Sequence, residues 1–151
     1  MDRLESGLPA LPDIEPAIDA YASFYETLSP AGIDELDRLV RADMLFRDPF
    51  QEFRGRARFK DLFRDMYRTI DGPRFVILRR AHAGSCCFLK WSFAGALRGR
   101  SFDVVGVSEI EFDGIGLVAS HVDHWDAASQ FYERVPVLGG ALRAIKRRFQ
   151  H

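Results

Sequence analysis

Residues 74–125 read RFVILRRAHAGSCCFLKWSFAGALRGRSFDVVGVSEIEFDGIGLVASHVDHW, and this stretch decides the fold. Its apolar, β-branched and aromatic residues follow a period of two, which is the spacing of strands. Four runs stand out: Arg74 to His82, Cys86 to Leu97, Phe102 to Phe112 and Leu117 to Trp125. They are separated by Ala83-Gly84, Arg98-Gly99-Arg100 and Asp113-Gly114-Ile115-Gly116, all short and glycine-bearing. Loops this short join antiparallel neighbours, so the expected topology is a four-stranded meander.

Upstream of the strands the period changes to that of helices. Ile14, Ala17, Ile18, Tyr21, Phe24, Tyr25 and Leu28 lie at steps of three and four after Asp13, a plausible cap, and Pro30 with Gly32 closes the segment. Ile33, Leu36, Leu39 and Val40 predict a second helix. Met44 to Phe50 is too short for another and contains Asp48-Pro49, so it predicts a short strand or extended turn. Phe59, Leu62, Phe63, Met66, Tyr67 and Ile70 form one stripe of a third helix, opened after Gly55 and stopped by Asp71-Gly72-Pro73. Residues 1–12 predict a loose arm, 13–126 the folded domain, and 127–151 a C-terminal helical extension broken near Pro136 and Gly139-Gly140. Helices first and strands later is an α+β arrangement: a curved antiparallel sheet packed on three N-terminal helices.

The chain has 151 residues, which favours one domain with a real core. Lys plus Arg total 21 and Asp plus Glu 22, so there is no basic excess for nucleic acid to recognise. No apolar run reaches the ~18 residues that cross a bilayer, so neither nucleic acid nor membrane is an expected partner. The two cysteines, Cys86 and Cys87, are adjacent, an awkward geometry for a disulfide, so a reduced, cytoplasmic protein is expected. Thirteen phenylalanines in so short a chain imply a heavily aromatic core or an apolar pocket.

Strand parity separates the faces. His121, Asp123 and Trp125 share one face of the last strand; Leu89, Trp91 and Phe93 share one face of the second. Phe102, Val104, Gly106, Ser108 and Ile110 form the more consistent inner face of the third, leaving Val105 and Val107 outside. Trp91, Phe93, Phe102 and Trp125 are expected to line the space between sheet and helices, opposite Phe63 and Tyr67; the simpler alternative for such stripes is plain core.

Two places could carry chemistry. Asp48 lies between Phe46 and Phe50, where desolvation would make its carboxylate a better base; equally, Asp before Pro is a common turn residue. His121 and Asp123, two apart on one strand face, can interact, the carboxylate orienting the imidazole; the alternative is a polar pair at the sheet surface. His121, Asp123 and Asp48 lack the spacing of a metal site, so no metal is expected. Glycine-rich phosphate loops and nucleophile elbows are absent from the sequence.

The chain resembles the SnoaL-like and ketosteroid-isomerase-like branch of the nuclear-transport-factor-two-like superfamily over about Ile14 to Trp125. The resemblance rests on the element order, on Phe46-Arg47-Asp48-Pro49, on Gly55 before the third helix, and on His121-Val122-Asp123-His124-Trp125-Asp126. It implies a cone-shaped α+β barrel with an apolar pocket, and a homodimer through the outer sheet face, here the face of Val105 and Val107. Asp48 matches the position of the isomerase base. The isomerase oxyanion tyrosine position falls near Phe24 and the protonated-acid position at Ser108, both departures, while Trp125 matches an aromatic pocket position. SnoaL-like cyclases use an acid on the pocket face of late strands, a part that Asp123 with His121 could play.

Two functions follow as expectations. One is cofactor-free proton transfer on a hydrophobic ketone, by isomerisation or aldol-type cyclisation. Asp48, or Asp123 oriented by His121, would be the base, and Tyr21 or Tyr25 a donor to the enolate oxygen. Phe24, Phe46, Phe63, Tyr67, Trp91, Phe93, Phe102, Ser108 and Trp125 would line the pocket. The other is a non-catalytic module that binds a hydrophobic ligand or associates as a dimer.

Overall fold

The computed structural model describes residues 13–130. Helix α1 (Glu15–Glu26) buries Ile18, Tyr21, Ala22, Phe24 and Tyr25 on one face, as their spacing predicts. Asp13 accepts a hydrogen bond from the Glu15 N–H at the helix start. The second helical segment is shorter than its periodicity suggests. Ser29 caps a 3-10 segment (Pro30–Glu35), its hydroxyl accepting from Gly32 N–H, and only Leu36–Leu39 is α-helical (α2). At Val40 the backbone is already extended, and β1 runs Val40–Arg47 rather than from Met44. A small strand, β2 (Glu52–Arg54), pairs back on β1 across the turn at Asp48.

Helix α3 (Arg56–Thr69) follows Gly55, whose φ of +113° is costly for any other residue. Phe59 and Phe63 are buried on its inner face. Strands β3 (Asp71–Ala83), β4 (Cys86–Leu97), β5 (Arg100–Phe112) and β6 (Val118–His124) form the antiparallel meander, and α4 (Ala127–Gln130) follows. The six strands form one curved, unclosed sheet in the order β2-β1-β6-β5-β4-β3. One pairing is not antiparallel: β1 runs parallel to β6. Their connection spans the whole intervening meander, so no local pattern announces it.

Helices α1 and α3 pack on the concave side. There Tyr21, Phe24, Phe59, Met44, Phe46, Leu89, Ile110, Phe112 and Val118 form the core. A fully buried side chain of this size contributes about 1.5–3 kcal/mol. The inner face assigned by parity to β5 is the buried one: Val104, Ser108 and Ile110 are buried, and Val105 is 40% exposed. The arm 1–12 and nearly all of the C-terminal extension lie outside the described residues. No helix among the described residues is long and apolar enough to cross a membrane.

Candidate functional site

Sheet register brings the polar groups together. Ser108 on β5 is opposite Asp123 on β6, and Ile110 is opposite His121. His121 is also level with Phe46 of β1, and Trp91 on β4 is opposite Gly106 on β5. Because Gly106 has no side chain, the Trp91 ring can lie across β5. A Cβ at that position would fall 2.5 and 2.6 Å from two atoms of the indole and 3.0 Å from Trp125 Cβ. The indole therefore reaches diagonally to Ser108.

A hydrogen-bond chain results. Trp91 Nε1–H donates to Ser108 Oγ at 2.8 Å, and Ser108 Oγ–H donates to Asp123 Oδ1. His121 Nε2 lies 2.7 Å from the same Oδ1, and its Nδ1 lies 2.7 Å from Tyr21 Oη. Tyr21 Oη is 3.4 Å from Tyr25 Oη. With His121 neutral and its proton on Nε2, Tyr25 donates to Tyr21, Tyr21 to His121, and His121 to Asp123, so each hydroxyl and ring proton has an acceptor. Asp123 Oδ2 has no hydrogen-bond partner among the described residues. Burial is the main reason both tyrosines resist ionisation, with the Asp123 charge adding to it, so both phenols stay protonated far into alkaline conditions.

A cavity of about 400 Å³ opens between α3 and the concave face of the sheet. Asp123, His121, Ser108 and Tyr25 reach its wall. Of the expected lining residues, Phe46, Phe63, Trp91, Phe93, Phe102 and Trp125 line it, joined by Phe59, Leu62, Met66, Ile70, Phe75, Ile77 and Leu97. Tyr21, Phe24 and Tyr67 do not reach it. Tyr21 stands behind His121, Phe24 packs edge-on against Phe63, and Tyr67 sits half-buried against the core. All three lie on the inward-facing stripes of their helices; the rings of His121 and Phe63, which line the space, pack against Tyr21 and Phe24. Phe59, Leu62, Met66, Ile70, Phe75, Ile77 and Leu97 are not among the lining residues expected from the sequence; the α3 stripe of the first four and the alternation of Phe75 and Ile77 on β3 are the signals that point to the first six.

Asp48 also borders the cavity, but its carboxylate is engaged in the turn. Oδ1 accepts from Phe50 N–H at 2.7 Å and Gln51 N–H at 2.9 Å. Among the described residues no hydrogen bond joins it to the Tyr21–His121–Asp123 chain. Among the described residues, no group of three or more His, Cys, Asp or Glu side chains is arranged to hold a metal ion.

The SnoaL-like domain family matches residues 21–121, two-thirds of the chain. This chain belongs to the SnoaL-like family. No curated protein matches it in sequence. The SnoaL-like protein shares its fold with solved structures of low identity. A candidate polyketide cyclase from Pseudomonas putida KT2440 is 15% identical with a TM-score of 0.67, covering 81% of this chain and 97% of that one. A LEH-like epoxide hydrolase of M. tuberculosis is 18% identical, with a TM-score of 0.66 over 88% and 91% of the two chains. A candidate polyketide cyclase from Xanthomonas campestris pv. campestris is 11% identical, TM-score 0.66, over 77% and 92%. Other structures of this fold are described as ketosteroid isomerase-like or NTF2-like. At these identities the SnoaL-like protein shares the fold with each of them, and its chemistry is argued from its own residues.

Proposed function

We propose that this SnoaL-like protein binds a hydrophobic small molecule in the cavity and performs cofactor-free proton transfer on it. The substrate class is a hydrophobic ketone and the reaction an isomerisation or aldol-type cyclisation. One observation carries this reading: Asp123 lines a largely apolar cavity with Oδ1 held by His121 and Ser108, and its Oδ2 has no hydrogen-bond partner among the described residues. A carboxylate so held is oriented and poorly hydrated, which suits a general base. Tyr25, the one tyrosine of the pair that reaches the cavity, is the donor to the developing enolate oxygen, its O–H turning to the ligand from the long 3.4 Å contact with Tyr21, while Tyr21 keeps its bond to His121. Asp48 is assigned the turn and not the base. The test is hydrogen–deuterium exchange at the α-carbon of a panel of hydrophobic ketones, followed by NMR. Wild type should exchange at least one ketone, and Asp123→Asn should lower the rate by about 10²-fold or more. Equal exchange by the two proteins would remove Asp123 as the base.

The second reading is ligand binding without turnover. It is favoured by the absence of Lys and Arg from the cavity lining among the described residues, where an enolate has only neutral donors and His121 to stabilise it. Recovery of an unchanged, tightly bound ketone would support it. A homodimer through the outer sheet face belongs to the same proposal. Val105 and Phe88 are exposed there, 40% and 41%, on strands β5 and β4. Sedimentation at micromolar concentration should give twice the monomer mass; a monomer would refute it. A cytoplasmic setting is likewise proposed, because Cys86 and Cys87, adjacent on β4, are not joined in a disulfide.

A further inference from the structure

The cavity lining is unbalanced in charge. Among the described residues it includes the carboxylates of Asp48, Asp65 and Asp123 and no lysine or arginine, and His121 is the one basic side chain of that set. Asp65 is paired through Oδ1 with Arg68 and Asp48 Oδ1 is held in its turn, while Asp123 uses Oδ1 for His121 and Ser108 and its Oδ2 has no hydrogen-bond partner among the described residues. Around it the wall is aromatic. Phe75 stacks on Phe93 at 4.3 Å between centroids, Phe93 meets Phe102 edge-on at 5.4 Å, and Phe75 meets Trp91 edge-on at 6.1 Å. Aromatic π-faces attract cations, and a carboxylate in poorly hydrated surroundings lacks a counter-charge when its imidazole neighbour is neutral. An anionic ligand would meet the opposite: among the described lining residues no lysine or arginine to neutralise it, and a carboxylate to repel it.

We infer that the ligand of this cavity is a hydrophobic ammonium compound, a protonated or quaternary amine on an apolar frame, with its positive charge facing Asp123 and the aromatic wall. The inference rests on the cavity being the ligand site, as proposed above, and adds the charge of the ligand. It also bears on the shortage of cations around an enolate. A ketone that carries its own ammonium would form a zwitterionic enolate, supplying the stabilising charge that the lining lacks.

Calorimetric titration of the full chain with 4-phenylbutylamine, 4-phenylbutanol and 4-phenylbutyrate separates charge from shape. The amine should bind at least tenfold more tightly than the alcohol, and the carboxylate should bind more weakly than either. In Asp123→Asn the amine and alcohol should bind within about threefold of each other; retained alcohol binding certifies the folded cavity. Equal affinity of amine and alcohol for wild type would overturn the inference while leaving the hydrophobic-ligand reading intact. So would an amine preference that survives in Asp123→Asn, or tighter binding of the carboxylate. Failure of all three probes to bind at millimolar concentration would overturn both.

Discussion

Tyr21 Oη lies 2.7 Å from His121 Nδ1, across one hundred residues of sequence and with both side chains at most 2% exposed. This contact makes Tyr21 a positioning residue. It touches nothing in the cavity, yet it sets which ring nitrogen of His121 is free to donate to Asp123. Tyr21→Phe should therefore keep the fold, lose about 1–3 kcal/mol in denaturant unfolding, and change the ¹⁵N shifts that report the His121 tautomer. Unchanged imidazole shifts would show that Tyr21 is packing and no more.

Gly106 is held by contact and not by backbone conformation. Gly106→Ala would bring a methyl group within 2.5 Å of the Trp91 ring. Displacing the indole should cost about 1–3 kcal/mol and break its bond to Ser108. Thermal unfolding and Trp fluorescence measure the two effects separately; a variant as stable as wild type, with unshifted emission, would contradict the contact.

Asp48 and Asp123 should separate cleanly. Asp48→Ala removes the acceptor for two backbone N–H groups and should cost about 1 kcal/mol or more, whereas Asp48→Asn keeps an acceptor oxygen and should cost less. Neither should lower α-proton exchange by more than about threefold, against about 10²-fold for Asp123→Asn. A large loss of exchange in Asp48→Asn would return the base to Asp48.

Alkaline stability should fall in a defined window. Tyr21 and Tyr25 hold their protons in the folded state well above the ordinary phenol value of 10, and burial pushes the Cys87 thiol up from 9.0 to about 11. Above those ordinary values the unfolded chain releases protons that the folded chain keeps, so the stability these groups contribute is fully present below pH 9 and drains away as pH rises. Each tyrosine adds a slope of about −1.4 kcal/mol per pH unit above pH 10. Denaturant unfolding at pH 8 to 11 should show it, with Tyr25→Phe shallower than wild type by one proton. Stability flat across that range would contradict the burial of both phenols.

Much of this was legible in the sequence. Period two across residues 74–125 and period 3.6 before it specify an α+β domain, because side-chain direction follows backbone repeat. Parity placed His121, Asp123 and Trp125 together, and put Ser108 on the inner face of β5. Less legible were the residues whose role depends on a neighbour distant in sequence. The helical phase of Tyr21 points inward and suggests a donor to ligand; only its tertiary contact with His121 shows that the imidazole, not the tyrosine, reaches the cavity. The sequence around Asp48 admits both a base and a turn residue, and the two backbone N–H groups that donate to its Oδ1 appear only in three dimensions. The parallel β1–β6 pairing and the place of Gly106 under Trp91 are also tertiary facts. Local repeat determines which way a side chain points; what it meets there depends on register between segments brought together by chain closure, and that is decided only when the whole chain packs.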